Sequence, residues 1–462
     1  MSQTADFAPF EALMRREGLP EIAIRTFAHY YAQLAAGHTG LLPEADLLPA
    51  ADIPDADTLD AALADAGREA LPRTVMLKLN GGLGTGMGLA RAKSLLTVKD
   101  GLTFLDIIAR QAQAVDVPLL LMDSFSTRAD SLARLAGQPL PDRGLPPDFL
   151  QHKVPKVRAD DLRPAEWPAD PDLAWCPPGH GDLYTALQTS GLLEQLLAGG
   201  FRWAFVSNAD NLGATIDPVI LGHVVRSGAP LVMEVADRTE ADRKGGHLAR
   251  RRDGRLILRE VAQCPPADEA AFQDIARHRY FNTNTLWLDL RALDELLRRE
   301  GGIMRLPMIR NRKTLDPRDP ASPAVYQLET AMGAAIETFT GAAALRVSRT
   351  RFAPIKHTSD LLSVRSDNFV LGADHRVVPN PRRTLPTPVV DLDPAYYRFV
   401  DDLERRFPGG PPSLVDCRRL VVRGDVRFGA GVVVRGDVLV EASAGTVREV
   451  PAGAVLDGDT AR

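Results

Sequence analysis

The sequence predicts an α/β fold built on a mixed, mainly parallel β-sheet. From Thr74 onward, short apolar runs alternate with amphipathic segments, a pattern typical of alternating strands and helices. One apolar run, residues 75–79, leads directly into a loop with five glycines between residues 81 and 88. Ligands of open α/β sheets bind beyond the carboxyl ends of the strands. The loop therefore marks the edge of the sheet where we expect the functional site.

The composition bounds the size and environment of the protein. Its 462 residues are enough for two or three domains, and the apolar (45%) and charged (25%) fractions are those of a globular protein. A net charge of −5 gives no reason to expect a nucleic-acid or membrane partner. Three widely spaced cysteines indicate a reducing compartment and no metal site. Because no signal-like N-terminus and no apolar run of membrane length is visible, we expect a cytoplasmic protein.

Residues 1–72 are predicted to form a helical N-terminal segment. Apolar residues recur at helical spacing over residues 7–14, 22–36 and 59–71, and a glycine and a proline separate the first two stretches. No motif in this segment suggests chemistry. We therefore expect it to pack against the main domain.

Residues 73–375 are predicted to form that main domain. Five apolar runs have the length of buried strands, namely residues 75–79, 117–122, 203–206, 231–235 and 285–288. Helical patterns between them cover residues 104–115, 182–197 and 218–227. Residues 137–181 are rich in proline and lack periodicity, which is typical of long functional loops.

Residues 376–462 are predicted to form a linker and a small β-domain. Four prolines between residues 379 and 388 mark the linker, and residues 396–406 suggest one helix. The sequence Val-Val-Arg-Gly-Asp-Val of residues 421–426 returns at residues 433–438, which suggests a β-helix or solenoid. Because only two copies of the repeat are clear, a β-meander remains an alternative to the β-helix. Such a domain more often supports structure or assembly than catalysis.

The glycine loop has the properties of a phosphate cradle of unknown class. Its glycines permit positive φ values and a close approach to a ligand, and Lys93-Ser94 follows shortly after Gly88. No glycine of this stretch is followed directly by Lys-Ser or Lys-Thr, as a P-loop requires. The stretch from Gly82 to Met87 also lacks the last glycine of a dinucleotide-binding fingerprint. Neither class is preferred.

Two further loops present isolated polar groups. His180 stands between glycines in the loop of residues 175–182, just before a predicted helix. It could contact a phosphate or sugar oxygen or act as a base, and a loop-stabilising role is the alternative. Asp210 directly follows a predicted strand, where a carboxylate is well placed to hold Mg²⁺. An Asx-turn that closes the strand is an equally good interpretation.

Side chains suited to sugars and phosphates occur later in the chain. Residues 260–263 and 281–285 place carboxylate and amide groups beside apolar runs. Such groups pair with hydroxyl-rich ligands, although turn or capping roles are the commoner use. Arg349, Arg351 and Lys356 could neutralise a polyphosphate during transfer, whereas a solvated basic face is the usual fate of such a run.

These motifs resemble those of the eukaryotic-type UTP–glucose-1-phosphate uridylyltransferases, also called UDP-glucose pyrophosphorylases. The resemblance covers residues 70–457, and its motifs lie at residues 78–88, 175–182, 207–214, 260–263, 281–284, 327–330 and 356–361. It implies a Rossmann-like, GT-A-like nucleotidyltransferase fold. It also implies that residues 420–440 belong to a small C-terminal left-handed β-helix.

The resemblance implies a role for each candidate residue. Lys93 is expected to contact phosphates, Lys356 is expected to be catalytic with it, and Asp210 is expected to hold Mg²⁺. The residues expected at the nucleotide are Leu79, Asn80, Gly81, Gly82, Gly84, Thr85, Met87, Gln151 and Gly179. Those expected at the sugar phosphate are His180, Asn208, Glu260, Asn282 and Asn284.

The reaction that the resemblance implies is transfer of a uridylyl group from UTP to glucose 1-phosphate, with UDP-glucose and pyrophosphate as products. The sugar phosphate oxygen is expected to attack the α-phosphorus in line. Two alternatives stay open: the same chemistry on another sugar 1-phosphate, such as N-acetylhexosamine 1-phosphate, and a non-catalytic UDP-sugar-binding protein. Thr85-Gly86-Met87-Gly88 favours glucose, because the acetylhexosamine enzymes usually carry Thr-Arg-Leu-Gly there.

The sequence departs from the family pattern at several points, one of which is His357 directly after Lys356. Arg91-Ala92 precedes Lys93 where the family usually has Gly-Pro, and Gly245-Gly246-His247 stands where it has Gly-Gly-Thr. An oligomer formed through the C-terminal β-helix is left open.

Overall fold

The computed structural model describes residues 6–458. The N-terminal part contains α1 (Ala8–Arg16), α2 (Glu21–Ala35), the short strand β1 (Leu47–Pro49) and α3 (Leu63–Ala70). These helices confirm the three predicted helical stretches. Strand β1 was not predicted, and it pairs antiparallel with a strand of the main sheet.

The main part of the chain alternates helices and strands, as predicted. Its helices are α4 (Phe104–Ala114), α5 (Arg128–Leu135), α6 (Leu183–Thr189), α7 (Leu192–Ala198), α8 (Pro218–Ser227), α9 (Glu269–Phe272), α10 (Leu290–Arg299), α11 (Ala335–Thr338) and α12 (Thr358–Arg365). The helices predicted over residues 104–115 and 218–227 are confirmed by α4 and α8. The single helix predicted over residues 182–197 is wrong, because Gly191 takes a φ of +74° and divides it into α6 and α7.

The strands of the main part include all five that were predicted. They are β2 (Thr74–Asn80), β3 (Thr97–Lys99), β4 (Leu102–Thr103), β5 (Leu119–Asp123), β6 (Asp148–Leu150), β7 (Val154–Pro155), β8 (Val157–Arg158), β9 (Trp175–Cys176), β10 (Trp203–Asn208), β11 (Leu231–Asp237), β12 (His247–Arg251), β13 (Leu256–Arg259), β14 (Tyr280–Asp289), β15 (Ile309–Thr314), β16 (Ala324–Glu329), β17 (Ala343–Arg346), β18 (Phe369–Leu371) and β19 (Val377–Pro379).

The central sheet is mixed and mainly parallel, as the sequence predicts. Strands β6, β5, β2 and β10 lie side by side and run parallel. Strand β14 runs antiparallel to β10 on one side and to β11 on the other, and β11 pairs parallel with β17. Strand β12 continues the sheet beside the start of β14 and carries β1 and β13.

Strand β2 lies in the middle of this sheet and is covered on both faces. Met76 packs into the core on one side, whereas Val75 and Leu77 pack into the core on the other. A strand buried on both faces reads as a continuous apolar run rather than an alternating one. This burial explains the run at residues 75–79 and places the glycine loop at the carboxyl edge of the sheet.

A close helix crossing fastens the N-terminal segment to the main domain. A Cβ on Gly67 of α3 would lie 1.8 Å from the carbonyl oxygen of Pro218 on α8. A Cβ on Gly222 of α8 would lie 1.9 Å from the carbonyl oxygen of Leu63. Only glycine permits the two helix backbones to approach so closely. The expected packing of this segment against the main domain is confirmed.

The C-terminal part contains short helices and parallel strands. Its elements are β20 (Val389–Leu392), α13 (Pro394–Tyr397), α14 (Val400–Arg406), β21 (Cys417–Arg423), β22 (Asp425–Phe428), β23 (Val433–Glu441), β24 (Val447–Val450) and β25 (Val455–Asp457). The single helix predicted over residues 396–406 is therefore wrong. The pairs formed by β20 to β25 are parallel, which excludes a β-meander, whose neighbouring strands are antiparallel. Val422 lies beside Val440 rather than Val434, so the sequence repeat does not set the register.

The state of the cysteines and the character of the helices can be compared with what the composition led us to expect. All three cysteines are free; Cys176 and Cys417 are buried, and Cys264 is half-buried. Between residues 6 and 458, no helix has the length and apolar character needed to cross a membrane.

Candidate functional site

The candidate site forms where several strands end at one edge of the central sheet. Leu79 of β2 lies beside Asn208 of β10, and Asn80 lies beside Asp123 of β5. The backbone N–H of Ala209 donates to the carbonyl of Leu79 over 3.0 Å, which continues the pairing past the last strand residue. The glycine loop and the loop that carries Asp210 therefore start side by side.

The glycine loop folds back on itself and returns Lys93 to its own start. Gly84 and Gly88 have φ values of +68° and +78°, which favour glycine, and a 3₁₀ turn lies between them. The N–H of Lys93 donates to the carbonyl of Gly82 over 3.0 Å and closes the loop. Ala92 stands where the family usually has proline; its φ of −50° is close to the value that proline imposes, so the backbone course needs no proline.

Lys93 and Asp210 form an ion pair across the two loops. Lys93 Nζ lies 2.7 Å from Asp210 Oδ2, and the two side chains are 16% and 25% exposed. This contact joins the predicted phosphate-binding lysine to the predicted metal ligand.

The segment that carries Lys356 is tied to the same loop. The side-chain carbonyl of Asn211 accepts from the N–H of Ala353 over 3.1 Å, and its amide donates to the carbonyl of Arg351 over 3.1 Å. The N–H of Ile355 points to the carbonyl of Asp210 at 3.5 Å. The exposed Lys356 follows directly, with its Nζ 5.7 Å from the ring centroid of Phe281. Both predicted catalytic lysines therefore flank the loop that carries Asp210.

Gln151 connects the glycine loop to the loop of His180. Its side-chain amide donates to the carbonyl of Gly179 over 3.0 Å. A Cβ on Gly81 would lie 2.8 Å from Gln151 Oε1, so a larger residue there would require the Gln151 side chain to shift. The predicted nucleotide residues Gly81, Gln151 and Gly179 are thus neighbours, although they are far apart in the sequence.

His180 is held as a neutral imidazole with a defined tautomer. Gly179 has a φ of +79° and packs against the backbone of Thr330. The N–H of Met332 donates to His180 Nδ1 over 3.0 Å, so the ring proton of the neutral form is on Nε2. Burial lowers the pKa of His180 to about 4. The ring is therefore a hydrogen-bond donor through Nε2 at neutral pH.

Two of the predicted sugar residues, Asn282 and Asn284, lie at a bulge in β14. Glu234 pairs with Thr285 and Val235 pairs with Asn282, so Thr283 and Asn284 are extra residues in β14. Asn284 has a φ of +53°, and the Asn282 side-chain amide donates to Asn284 Oδ1 over 2.8 Å. Bulges next to functional sites often redirect side chains in this way.

Glu260 faces this bulge from the far side of a glycine pair. A Cβ on Gly246 would lie 2.5 Å from Glu260 Oε2, and a Cβ on Gly245 would lie 2.0 Å from the ring of Phe281. Burial raises the pKa of the Glu260 carboxyl, while Asn282 and the positive charge of Lys356 oppose the shift. Both glycines are therefore needed for the close packing behind the carboxylate.

His247 follows the glycine pair, at the position where the family pattern has threonine. Its ring is fully buried and stacks on His278 with the ring centroids 4.1 Å apart. Burial, followed by the charge of His278, lowers the pKa of His247. His247 is thus part of the packing beneath the site.

Several residues singled out in the sequence have side chains that face away from this site. The Asn80 amide donates to Asp123 Oδ1 over 2.7 Å in a buried network, and Met87 packs into the core. Only the backbone of Asn80 and Met87 is left for a ligand. Arg351 was considered as a polyphosphate ligand or part of a solvated face; its side chain is instead only 12% exposed and pairs with the buried Glu234.

Lys78, Glu234 and Thr330 lie near the site and were given no role by the sequence, although Lys78 and Thr330 fall within the family motifs at residues 78–88 and 327–330. Lys78 is fully buried at the end of β2, although its position inside the apolar run 75–79 was a signal that its charge must be compensated. Burial, followed by the charge of Arg351, lowers the pKa of Lys78 to about 7, while Glu234 opposes the shift. Glu234 carried no comparable signal.

Asp210 is the predicted metal ligand at this edge of the sheet. No group of three or more His, Cys, Asp or Glu side chains that could hold a metal occurs within residues 6–458. Mg²⁺ is commonly held by one or two carboxylates and shares its remaining positions with phosphates and water. The single carboxylate of Asp210 beside the glycine loop agrees with that type of site.

The mixed α/β fold is that of a nucleotidyltransferase-like protein. A family model described as UTP–glucose-1-phosphate uridylyltransferase matches residues 24–435. The chain belongs to this family.

Similar proteins come from plants, fungi and protozoa. The chain is 40% identical to the UTP–glucose-1-phosphate uridylyltransferase of Solanum tuberosum over 397 residues, which cover 84% of this chain and 81% of the relative. It is 42% identical to that of Saccharomyces cerevisiae, over 84% of this chain and 77% of the relative. The UDP-glucose pyrophosphorylase of Leishmania major, solved in open and closed forms, matches with a TM-score of 0.90 and 44% identity over 98% of both chains.

Proposed function

We propose that this protein transfers the uridylyl group of UTP to glucose 1-phosphate and releases UDP-glucose and pyrophosphate. Membership of the uridylyltransferase family is the observation that carries the proposal. The Lys93–Asp210 pair beside the glycine loop supports it, because a protein that only binds UDP-sugars could lose these charges.

The expected reaction is a single in-line displacement. A phosphate oxygen of glucose 1-phosphate forms a bond to the α-phosphorus of UTP, and the bond from that phosphorus to the bridging oxygen of the β-phosphate breaks. The attacking oxygen is already anionic, so no general base is required. Bound Mg²⁺ would supply charge neutralisation at the phosphates. Catalysis otherwise comes from positioning and from the charges of Lys93 and Lys356.

The residues that bind substrate are proposed from the family resemblance and from their grouping at one edge. For the nucleotide they are Leu79, Asn80, Gly81, Gly82, Gly84, Thr85, Met87, Gln151 and Gly179, with Asn80 and Met87 acting through backbone. For the sugar phosphate they are His180, Asn208, Glu260, Asn282 and Asn284. The neutral His180 would donate from Nε2, and Asp210 would hold Mg²⁺.

We also propose the three-part division of the chain at residues 1–72, 73–375 and 376–462. Parallel pairing among β20 to β25 supports a β-helix at the C-terminal end, and the family resemblance suggests a left-handed one. An oligomer formed through it stays a hypothesis. Three free cysteines favour a reducing compartment such as the cytoplasm.

Pyrophosphate release measured with UTP, Mg²⁺ and a panel of sugar 1-phosphates tests the function. We expect the highest kcat/KM with glucose 1-phosphate. A higher value with N-acetylhexosamine 1-phosphate would keep the chemistry and change the sugar. UDP-glucose binding by calorimetry without pyrophosphate release from any sugar would identify a UDP-sugar-binding protein instead.

A further inference from the structure

We propose that two basic side chains, Lys78 and Arg351, are positioning residues that hold the loop carrying Asp210. This loop, residues 208–215, is called the Asp210 loop below. The proposal rests on the proposed function, since it concerns the loop that would present Asp210 to the metal and Asn208 to the sugar phosphate. Neither cation needs to contact substrate for this role.

Lys78 joins the strand before the glycine loop to both ends of the Asp210 loop. Its Nζ donates to the hydroxyl of Ser207 over 2.6 Å and to the carbonyl of Ala214 over 2.9 Å. Ser207 directly precedes the Asp210 loop, and Ala214 is its second-last residue. The ammonium also lies 5.3 Å from the ring centroid of Phe205. One fully buried side chain thus closes the base of the loop.

Arg351 holds the next carbonyl of the same loop. Its Nη2 donates to the carbonyl of Thr215 over 2.8 Å. Its Nε and Nη2 also donate to the two carboxylate oxygens of Glu234, each over 2.8 Å, and Glu234 accepts from the indole N–H of Trp287 over 2.9 Å. The guanidinium is therefore fixed in direction by a buried carboxylate, so it holds the Thr215 carbonyl in one place.

The middle of the Asp210 loop is fastened to the backbone of residues 350–354. Asn211 bonds Arg351 and Ala353 through its side-chain amide, and it forms a β-bridge with Pro354. A Cβ on Gly213 would lie 2.5 Å from the carbonyl oxygen of Thr350, which shows how closely the two segments pack. The loop backbone is thereby fixed at its base and its middle, and the Asp210 side chain projects from a rigid support.

Loss of the Lys78 ammonium would leave the Ser207 hydroxyl and the Ala214 carbonyl buried without their partner. The loop would then shift to satisfy them, and Asp210 and Asn208 would move with it. Displacement of catalytic groups by about 1 Å can lower a rate by about 100-fold. Partners that orient a metal ligand typically contribute about 10- to 100-fold to metal affinity or activity.

A double-mutant cycle between Lys78→Met and Asp210→Asn tests the proposal. We expect Lys78→Met to lower kcat by roughly 10- to 100-fold with a smaller change in KM for UTP. In the Asp210→Asn background the same change should cost clearly less than in the wild-type background, because the part of the effect that acts through Asp210 disappears with it. We also expect Lys78→Met to weaken Mn²⁺ binding to the complex with UDP-glucose by roughly tenfold, measured by electron paramagnetic resonance.

Lys156→Met is the matched control. Lys156 is also a buried lysine whose Nζ donates to a backbone carbonyl, that of Leu315 at 3.1 Å, but it lies outside the site. The Lys156→Met substitution should lower Tm and leave both kcat and Mn²⁺ affinity unchanged. If Lys78→Met does not fold, Ser207→Ala removes one of the two oxygens that hold the ammonium and should reduce kcat and Mn²⁺ affinity in the same direction by a smaller factor.

Three outcomes would overturn the proposal. The first is a folded Lys78→Met protein with wild-type kcat. The second is a double variant whose loss of kcat equals the product of the losses caused by Lys78→Met and by Asp210→Asn alone. The third, if Lys78→Met is unstable, is a folded Ser207→Ala protein with unchanged Mn²⁺ affinity. Failure of the proposed function is distinguishable: the wild-type protein itself would then release no pyrophosphate. The Mn²⁺ measurement with UDP-glucose would still report on the loop.

Discussion

The ammonium of Lys93 lies 2.7 Å from the carboxylate of Asp210, although 117 positions separate the two residues in the chain. Lys93 ends the glycine loop after β2, and Asp210 follows β10, so parallel pairing of the two strands brings the charges together. Both side chains remain partly exposed. Because both groups keep contact with solvent, phosphate and metal can reach them and replace the ion pair.

Removal of divalent metal is expected to abolish pyrophosphate release, and Mg²⁺ should restore it. Asp210 is one carboxylate that already pairs with Lys93, so the free protein should bind Mg²⁺ weakly and depend on substrate phosphates for the other ligands. We therefore expect Mg²⁺ to raise Tm when UDP-glucose is present and not when it is absent. A rise in Tm with Mg²⁺ alone would contradict a site completed by phosphate.

Lys356→Ala is expected to lower kcat by about 100- to 1,000-fold, because the ammonium stabilises charge that develops on the phosphates. The change should leave Tm nearly constant, since the side chain is exposed and only the backbone of Lys356 bonds Asp360. Lys313→Ala, at an exposed position of β15, is the control and should retain full activity. Near-normal turnover in Lys356→Ala would remove this residue from the mechanism.

Gly82→Ala is expected to separate ligand binding from folding. No protein atom lies within 4 Å of the place where its Cβ would be, so Tm should not change. If the nucleotide meets this backbone, the methyl group should raise KM for UTP by about tenfold or more. In contrast, Gly81→Ala places a Cβ 2.8 Å from Gln151 Oε1 and should lower Tm as well. Unchanged KM in Gly82→Ala would locate the nucleotide elsewhere.

His180 is expected to make stability depend on pH between about 6.5 and 4. Its pKa in the folded protein is about 4, below the usual value, so folding favours the neutral ring. This contribution is complete above pH ~6.5 and is lost as the pH falls toward 4, with a total of up to about 3 kcal/mol.

His180→Asn tests this dependence while keeping an acceptor for the Met332 N–H. Its unfolding free energy, measured by denaturant titration from pH 4 to pH 7, should fall less steeply toward acid than that of the wild type. His38→Asn, at an exposed position, should follow the wild type. Equal pH dependence in all three proteins would contradict the buried, neutral state of His180.

Local patterns predicted most elements because they depend on residues that are close in the sequence. The run 75–79 and the glycines after it predict a buried strand and a sharp loop, and both occur. Helix α4 begins at a capping box formed by Thr103 and Asp106, which is also a local signal. The division of the 182–197 helix at Gly191 was missed, since an isolated glycine inside a helical pattern does not by itself show that the chain turns.

The sequence by itself determined the class of fold, the glycine loop and the family to which the chain belongs. Only the tertiary structure decided which polar groups meet: Lys93 with Asp210, Lys78 with Ala214, and Arg351 with Glu234 rather than with phosphate. It also turned the side chains of Asn80 and Met87 away from the site. The physical reason is that these contacts follow from strand order and register, which join distant residues, whereas periodicity and turn signals report only on neighbours along the chain.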